Sequence, residues 1–148
     1  MTAAIEATNL RKTFGPVVAV DNIDISVASG QTVALLGGNG AGKTTTISML
    51  LGLLLPSDGQ ITILGHDLAR ARYAVLARMN FSSPYVELPH RLTVAQNLRV
   101  YADLYGVADA VERVAELAER LDLTQFLDRP SGKLSAGQKT RLALAKSL

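Results

Sequence analysis

Three observations predict an α/β fold for this sequence. An apolar run at 33–36 leads through a glycine-rich loop at 37–44 into a helical pattern at 45–55. Apolar runs separated by turn residues precede this unit and predict early antiparallel strands. Residues at helical spacing follow it and predict a helical segment in the second half of the chain. Together these patterns favour a mixed α/β core that carries an additional helical part.

The composition restricts the classes of function. The chain has 148 residues, of which 48% are apolar, so it is long enough to form about one domain with a sizeable core. The net charge is only +2, which gives no indication of a nucleic-acid partner. Because the sequence contains no cysteine, disulfides, thiolate metal sites and cysteine catalysis are excluded.

No segment of the sequence predicts a membrane anchor. The first seven residues lack the basic and apolar regions of a signal peptide. The longest apolar stretch, at 47–55, is interrupted and far shorter than the ~20 residues that a spanning helix needs. We therefore expect a soluble, cytoplasmic chain that meets a membrane only through a partner.

The secondary structure of the first half follows from alternating apolar residues and from turn signals. Gly15-Pro16 and residues 56–59, Pro-Ser-Asp-Gly, are turn sequences that separate the apolar runs. The predicted strands lie at 5–10, 17–20, 23–27, 33–36, 60–64 and 79–81, and the predicted helices at 45–55 and 69–78.

The second half has a helical pattern. Thr93 and Gln96 have the spacing of a capping box, and the apolar residues that follow predict a helix that Gly106 ends. A second helix is expected from near Asp109, with charged residues on one face and apolar residues on the other. These features predict a helical insert at 84–134.

The glycine-rich loop matches a phosphate-binding motif. Residues 37–44, Gly-Gly-Asn-Gly-Ala-Gly-Lys-Thr, fit G-x-x-x-x-G-K-[ST] in the strand–loop–helix context that the motif requires. Glycines let successive backbone N–H groups face one phosphate, and the helix N-terminus adds the positive end of its dipole. Lys43 is expected to reach the β- and γ-phosphates, and the Thr44 hydroxyl is expected to bind Mg²⁺. The sequence thus predicts a P-loop NTPase-type core.

A second motif begins the last predicted helix. Ser135 and Gln138 have the spacing of a capping box, which taken alone indicates only a helix start. Residues 134–138, Leu-Ser-Ala-Gly-Gln, also resemble the Leu-Ser-Gly-Gly-Gln signature of the ABC-type ATPases. The distance from the P-loop, across a helical insert, is similar to that in the family.

The resemblance to ABC-type ATPases covers essentially the whole chain in the same order. Residues 35–45 are close to the family's usual P-loop sequence, and 9–15 resemble its first strand and aromatic loop. Residues 20–27 resemble the next strand pair, and 92–98 resemble the opening of the helical subdomain. On these residues the chain is identified as the N-terminal portion of the ATP-binding subunit of an ABC transporter.

The resemblance implies roles for individual residues. Phe14 would stack on adenine, the P-loop would hold ATP, and Thr44 would bind Mg²⁺. Ser135, Gly137 and Gln138 would contact the γ-phosphate of ATP held by a second ATP-binding subunit, so that two subunits enclose two nucleotides head to tail. The implied nucleotide-binding residues are Phe14, Gly37, Asn39, Gly40, Ala41, Gly42, Lys43, Thr44, Thr45, Ser135, Gly137 and Gln138.

The resemblance also implies a domain organisation and a place in the cell. The α/β core with the P-loop would occupy 1–83, the helical subdomain 84–134 and the signature helix 135–148. The parent protein would hydrolyse ATP and drive a transmembrane transporter subunit, which would hold it at the inner face of the cell membrane. Residues 11–15 favour the exporter-type subunits of the family.

The sequence departs from the family before the helical insert. The family usually has a Gln there, which touches Mg²⁺ and couples the nucleotide state to the transport subunits. Residues 79–85 are Met-Asn-Phe-Ser-Ser-Pro-Tyr and include no Gln. The hydroxyl of Ser82 or Ser83 is an alternative ligand, whereas the simpler interpretation of both is a polar loop start. Ala136 in place of the second signature Gly is a milder change.

The catalytic groups of the family are also missing from the sequence. The family has an apolar strand ending in Asp-Glu and a later His, and none follows the signature helix here. Asp67 and His66 are interpreted as solvated loop residues, and Glu87 and His90 as polar surface residues. We therefore expect the C-terminal part of the domain to be absent. This chain alone should hydrolyse ATP poorly or not at all.

Two other functions are compatible with parts of the pattern. A non-hydrolysing nucleotide-binding or regulatory module would suit the missing Gln and the missing catalytic groups. A P-loop kinase would need a second carboxylate and a substrate lid, and residues 134–138 argue against it. The coding sequence beyond Leu148 separates the first two hypotheses, because an apolar strand ending in Asp-Glu favours the ATPase and a stop codon favours the module.

Overall fold

The computed structural model describes residues 3–82 and 88–148. The chain divides into two compact units, Met1–Met79 and Asn80–Leu148, which are described in turn. The predicted division at 1–83, 84–134 and 135–148 stays a prediction. Ser83 and Glu87 lie outside the described residues.

The first unit is built on a four-stranded antiparallel sheet with the strand order β2-β1-β3-β4. A long hairpin forms its first two strands, since Phe14 pairs with Val17 at one end and Ala3 pairs with Ala28 at the other. The elements of this unit are β1 (Ala3–Phe14), β2 (Val17–Ala28), α1 (Lys43–Leu50), β3 (Asp58–Ile63), β4 (His66–Asp67) and α2 (Arg72–Leu76).

The early antiparallel strands are confirmed, but their lengths were underestimated. The two predicted strands at 17–20 and 23–27 form the single strand β2, and β1 runs on to Phe14. Asn9 and Asn22 have φ values of 51° and 53°, and the register of the hairpin shifts around Asn9. Asn tolerates this left-handed conformation, so each strand continues through an irregular position. The alternation of apolar and polar residues is interrupted at such a position, and the predicted strands therefore ended too early.

One face of the sheet packs against α1 and α2. Leu10 and Met49 are completely buried in this core, to which α2 contributes Val75. The buried members of this core lie in the strands, in the two helices and, for Leu68, in the turn after β4. They are Ala7, Leu10, Val20, Met49, Ile61, Ile63, Leu68 and Val75.

Two predicted strands are wrong. Residues 33–36 and 79–81 are not in strands, and the sheet of the described residues contains no partner for them. Val33 and Leu35 are exposed, and Leu36 is 87% exposed. An apolar run forms a buried strand only when neighbouring strands cover it, and this condition is not local to the run.

The two predicted helices of the first unit are shorter than expected. The helix predicted at 45–55 is Lys43–Leu50, because Gly52 takes a φ of +66° and the N–H groups of residues 51–54 bond back to carbonyls of the last turn. This is a typical glycine-dependent helix end. The helix predicted at 69–78 is Arg72–Leu76.

The second unit is a cluster of three helices, α3 (Val94–Leu104), α4 (Ala110–Arg120) and α5 (Ala136–Ser147). Short 3₁₀ turns at Thr124–Phe126 and Ser131–Lys133 lie between α4 and α5. The apolar faces of the helices and the connecting segment meet in a second core. Its buried members are Val94, Leu98, Leu117, Ala118, Leu123, Leu134, Leu142 and Ala145.

Local signals predicted these helices well. The capping box at Thr93 is present, because the Gln96 N–H donates to Thr93 Oγ1 at 3.1 Å and the Thr93 N–H donates to Gln96 Oε1 at 2.9 Å. Glu116 accepts from Arg113 at 2.6 Å and from Arg120 at 3.2 Å. These two hydrogen bonds, the first above all, lower the pKa of Glu116.

A strip of backbone hydrogen bonds fixes the segment before α3 to the segment before α5. Thr93 pairs with Pro130, and the Ser131 N–H donates to Leu92 O at 2.9 Å. The buried Asn97 side chain donates to the Leu92 and Thr93 carbonyls at 3.2 and 3.0 Å. The turn that leads to Ser135 is thereby held to the start of α3.

Substitution of Gly59 tests the contact between β3 and β1. Gly59 has a φ of +89°, and a Cβ there would collide with the backbone oxygens of Asn9 and Thr8. We expect Gly59→Ala to lower the free energy of unfolding by about 3 kcal/mol, as strain and a backbone shift add together. Urea unfolding measures this loss.

Gly65→Ala is the matched control. Gly65 also has a positive φ, +78°, but nothing lies within 4 Å of its added Cβ. Gly65→Ala should therefore lower the free energy of unfolding only by the conformational cost of the positive φ, about 1 kcal/mol. If the two variants lose equal amounts of unfolding free energy, the backbone of β3 at Gly59 does not lie as close to β1 as the structure indicates.

Candidate nucleotide-binding site

The P-loop turns sharply at two glycines before α1 begins. Gly40 and Gly42 have φ values of +81° and +78°, a conformation that suits glycine. The Thr46 N–H donates to Gly42 O at 2.8 Å, so Gly42 forms the N-cap of α1. The backbone N–H groups of the loop and of the first helical turn are thereby placed at the positive end of the helix dipole.

The end of the loop rests on the hairpin. A Cβ on Gly42 would overlap Ala19 O and would approach the Val20 side chain at 3.2 Å. Glycine is therefore required at this position for space as well as for conformation. Strand β2 sets where α1 starts, and with it where Lys43 stands.

Lys43 folds back over the loop. Its Nζ atom donates to Gly37 O and to Gly38 O, each at 2.6 Å. These two bonds hold the ammonium group against the backbone of the loop, and Lys43 is half-buried. A fixed cation beside a helix N-terminus is suited to binding a phosphate group.

Two threonines follow Lys43 in the first turn of α1 with different surroundings. Thr44 is exposed, Thr45 is half-buried, and Thr46 is buried beside the core. The described residues contain no cluster of three His, Asp or Glu that could hold a metal ion. Mg²⁺ commonly takes one or two protein ligands and completes its shell with phosphate oxygens and water. Thr44, which is exposed and follows Lys43 directly, fits such a site.

Phe14 stands at the tip of the β1–β2 hairpin. The residue is 50% exposed, and Lys12 Nζ lies 5.2 Å from the centroid of its ring. The same Nζ atom donates to Leu55 O at 2.8 Å. A cation thus sits near one side of an exposed aromatic ring. Sequence analysis missed the role of Lys12 because the carbonyl that holds its Nζ atom, Leu55 O, is 43 positions away.

The signature residues begin α5 in the second unit. The Gln138 N–H donates to Ser135 Oγ at 3.3 Å, and the Ser135 N–H donates to Gln138 Oε1 at 2.8 Å, which confirms the predicted capping box. Leu134 is buried and anchors the turn. Gly137 is exposed, and nothing lies within 4 Å of the place where a Cβ would be.

The structure groups the predicted residues into two sets. Phe14 and the P-loop residues belong to the first unit. Strand β2 contacts both, because its residue Val17 pairs with Phe14 and its Ala19 carbonyl lies against Gly42. Ser135 and the rest of the signature belong to the second unit.

Two of the remaining polar candidates have defined surroundings. Asp67 lies in β4 and not in a loop as expected, and its carboxylate accepts hydrogen bonds from Ala69, Arg70 and Gln60. The bond from the Arg70 backbone N–H is the main cause of its lowered pKa. Asp67 therefore organises a turn. Ser82 is exposed.

The sequence model of the ABC transporter family matches residues 20–148. The chain belongs to the ABC transporter family. The match includes the P-loop, the helical segment and the signature, so the family predicted from the motifs is confirmed.

Curated relatives of this ABC family chain are ATP-binding proteins of transporters. A Nod factor export ATP-binding protein of Cupriavidus metallidurans is 37% identical over 150 residues, covering 100% of this chain and 50% of its own length. A probable multidrug ABC transporter ATP-binding protein of Escherichia coli is 38% identical over 146 residues, covering 97% of this chain and 25% of its own length. The chain spans a quarter to a half of the length of these relatives.

Solved structures of ABC ATP-binding subunits have the same fold. One ATP-binding subunit of an ABC transporter is 28% identical, with a TM-score of 0.84 over 97% of this chain and 61% of that chain. A nucleotide-free ATP-binding cassette is 26% identical, with a TM-score of 0.80 over 99% of this chain. The predicted α/β P-loop NTPase-type core is therefore confirmed. No helix among the described residues has the length and hydropathy to cross a membrane.

Loss of the Ser135 cap should destabilise α5. Ser135→Ala removes the acceptor for the Gln138 N–H, so we expect the free energy of unfolding to fall by about 1 kcal/mol. Ser135→Asn retains a side-chain acceptor at the N-cap and should stay close to wild type. Urea unfolding of both variants measures the effect, and an equal loss in Ser135→Asn would contradict a capping role.

Proposed function

We propose that this chain binds Mg-ATP through its P-loop as part of an ABC transporter ATPase that powers transport through a membrane partner. The observation that carries the proposal is the placement of Lys43, whose Nζ atom is held by Gly37 O and Gly38 O at the N-terminus of α1. Membership of the ABC transporter family supports ATP as the nucleotide.

The loop supplies the groups that a triphosphate needs. Gly40 and Gly42 turn the backbone so that N–H groups can face the phosphates, and Asn39, Ala41 and Thr45 contribute to the same loop and first turn. Lys43 contributes a fixed positive charge. These contacts orient the phosphates and stabilise charge, which is what phosphoryl transfer requires of a protein.

Thr44 would hold Mg²⁺ through its exposed hydroxyl, and the metal when bound neutralises phosphate charge. Phe14 would offer the open side of its ring to adenine, while Lys12 lies 5.2 Å from the ring centroid. Stacking on an exposed aromatic ring favours any flat base and makes no contact with the hydrogen-bonding edge of the base. It therefore supports binding of the nucleotide but does not discriminate between adenine and guanine.

The signature is proposed to act on a second copy of the site. Ser135 lies at the N-terminus of α5, where the helix dipole favours an anion, and Gly137 leaves the adjacent backbone open. Gln138 closes the capping box and so fixes the orientation of Ser135. Two subunits arranged head to tail would each place these residues on the γ-phosphate of ATP bound by the other.

The names of the relatives support a membrane partner. Proteins named for Nod factor export, multidrug transport and bacitracin transport match this chain over nearly its whole length. We propose by analogy that the parent protein is cytoplasmic and lies at the inner face of the membrane, held there by a transmembrane transporter subunit. ATP hydrolysis is proposed for the whole protein, because this chain spans only a quarter to a half of the length of these relatives.

Replacement of Lys43 tests the nucleotide site. Lys43→Ala removes the cation from the P-loop, so the affinity for Mg-ATP should fall more than about a hundredfold. Isothermal titration calorimetry of the chain measures the change. Lys133→Ala removes an exposed lysine of the second unit and should bind as wild type does. Wild-type affinity in Lys43→Ala would refute the assignment of the P-loop.

The role of Ser135 across the dimer has a separate test. Ser135→Ala should leave Mg-ATP binding to the monomer unchanged within about twofold and weaken ATP-dependent dimerisation about tenfold. Sedimentation with Mg-ATP measures the dimer, and calorimetry at low protein concentration measures the monomer.

Two further variants separate the hydroxyl from the cap. Ser135→Thr keeps both the hydroxyl and the cap and should dimerise as wild type does. Ser135→Asn keeps the cap but lacks the hydroxyl, so its dimerisation should be weakened about tenfold, as in Ser135→Ala. If Ser135→Ala weakens monomer binding as much as Lys43→Ala does, the proposed role across the dimer is wrong.

A further inference from the structure

Lys146 links three segments of the second unit. It lies in the last turn of α5 and is half-buried. Its Nζ atom donates to Phe81 O at 2.9 Å and lies 5.1 Å from the centroid of the Tyr101 ring in α3. A carbonyl oxygen and the face of an aromatic ring are both favourable to an ammonium ion, so the side chain has a defined place.

A second hydrogen bond joins the same two segments in the opposite direction. The Asn80 side chain donates from Nδ2 to Lys146 O at 3.2 Å. Its Oδ1 atom accepts from the Phe81 N–H at 2.8 Å, so the same amide is held at both ends. Side chain and backbone of Lys146 therefore each bond to the segment at 80–82, which we name the junction segment. Neither bond was visible in the sequence, because 65 and 66 residues separate the partners.

The junction segment lies where the chain passes from one unit to the other, so these bonds connect that point to helix α5. Asn80 is the first residue of the second unit, so the chain passes from the P-loop unit into the helical unit here. Helix α5 begins at the other end with the Ser135 cap and is 12 residues long. A helix of that length is a rigid rod of about 18 Å, which carries a displacement of one end to the other.

We propose that Lys146 is a positioning residue that fixes the junction segment to the signature helix, so that movement of this segment on ATP binding is passed to Ser135. The transmission step rests on the proposed function of the P-loop and of Ser135. The clamp itself, formed by Lys146, Asn80 and Tyr101, does not.

The clamp is tested first without nucleotide. Lys146→Met keeps the length and apolar stem of the side chain but cannot donate to Phe81 O. We expect amide hydrogen exchange in the junction segment to become about tenfold faster in Lys146→Met. Lys146→Arg keeps a cation and a donor and should restore protection. Tyr101→Phe keeps the aromatic ring and should leave exchange in this segment unchanged.

Two results would overturn the clamp. One is exchange in the junction segment that is equal in Lys146→Met and wild type. The other is failure of Lys146→Arg to restore protection in a variant whose helices are intact by circular dichroism. If Lys146→Met does not fold, Asn80→Ala removes the reciprocal bond from an exposed position, and the same increase in exchange is expected.

Transmission is tested by repeating the exchange measurement with Mg-ATP. Wild type and Lys146→Arg should show a nucleotide-dependent change in exchange at 135–139, and Lys146→Met should lose it while binding Mg-ATP within about twofold of wild type. The same change in Lys146→Met, or no change in a wild type that binds Mg-ATP, overturns transmission. Failure of wild type to bind Mg-ATP refutes the proposed function instead, and the nucleotide-free comparison still decides the clamp.

Discussion

The close approach of Gly42 to the Ala19 carbonyl is the contact on which the geometry of the candidate nucleotide-binding site depends. No side chain larger than hydrogen fits there, so strand β2 and the start of α1 meet directly through their backbones. This contact determines where the helix dipole begins and where the Lys43 ammonium bonds to the loop carbonyls. A methyl group at Gly42 would hold the loop away from β2, and this geometry would be lost.

Local sequence patterns predicted those parts of the structure that are held by local interactions. The P-loop turn and both capping boxes involve residues two to four positions apart. The side chains of the capping boxes form hydrogen bonds with backbone groups close to them in the chain, so a local pattern reveals them. The longer strands could not be foreseen, because Asn9 and Asn22 adopt left-handed conformations inside β1 and β2. The run at 33–36 was mispredicted because burial of a strand depends on neighbours elsewhere in the chain.

The two lysines with aromatic neighbours were also out of reach of sequence analysis. Lys12 bonds to Leu55 O and lies near Phe14, and Lys146 bonds to Phe81 O and lies near Tyr101. In each case the residue that supplies the carbonyl partner is more than 40 positions away. From the sequence alone, such a lysine cannot be told from one whose ammonium group is solvated. Both residues hold a distant segment of their own unit in place.

The Ser135 cap has a consequence for the direction of its hydroxyl group. The oxygen already accepts the Gln138 N–H, and this bond uses a lone pair and leaves the hydroxyl proton to be donated. An oxygen that accepts a hydrogen bond becomes a stronger donor, because the electron density of its O–H bond shifts toward the oxygen. Capping the helix and donating to an incoming anion are therefore cooperative at this residue. The helix itself acts as a polarising group on the side chain that precedes it.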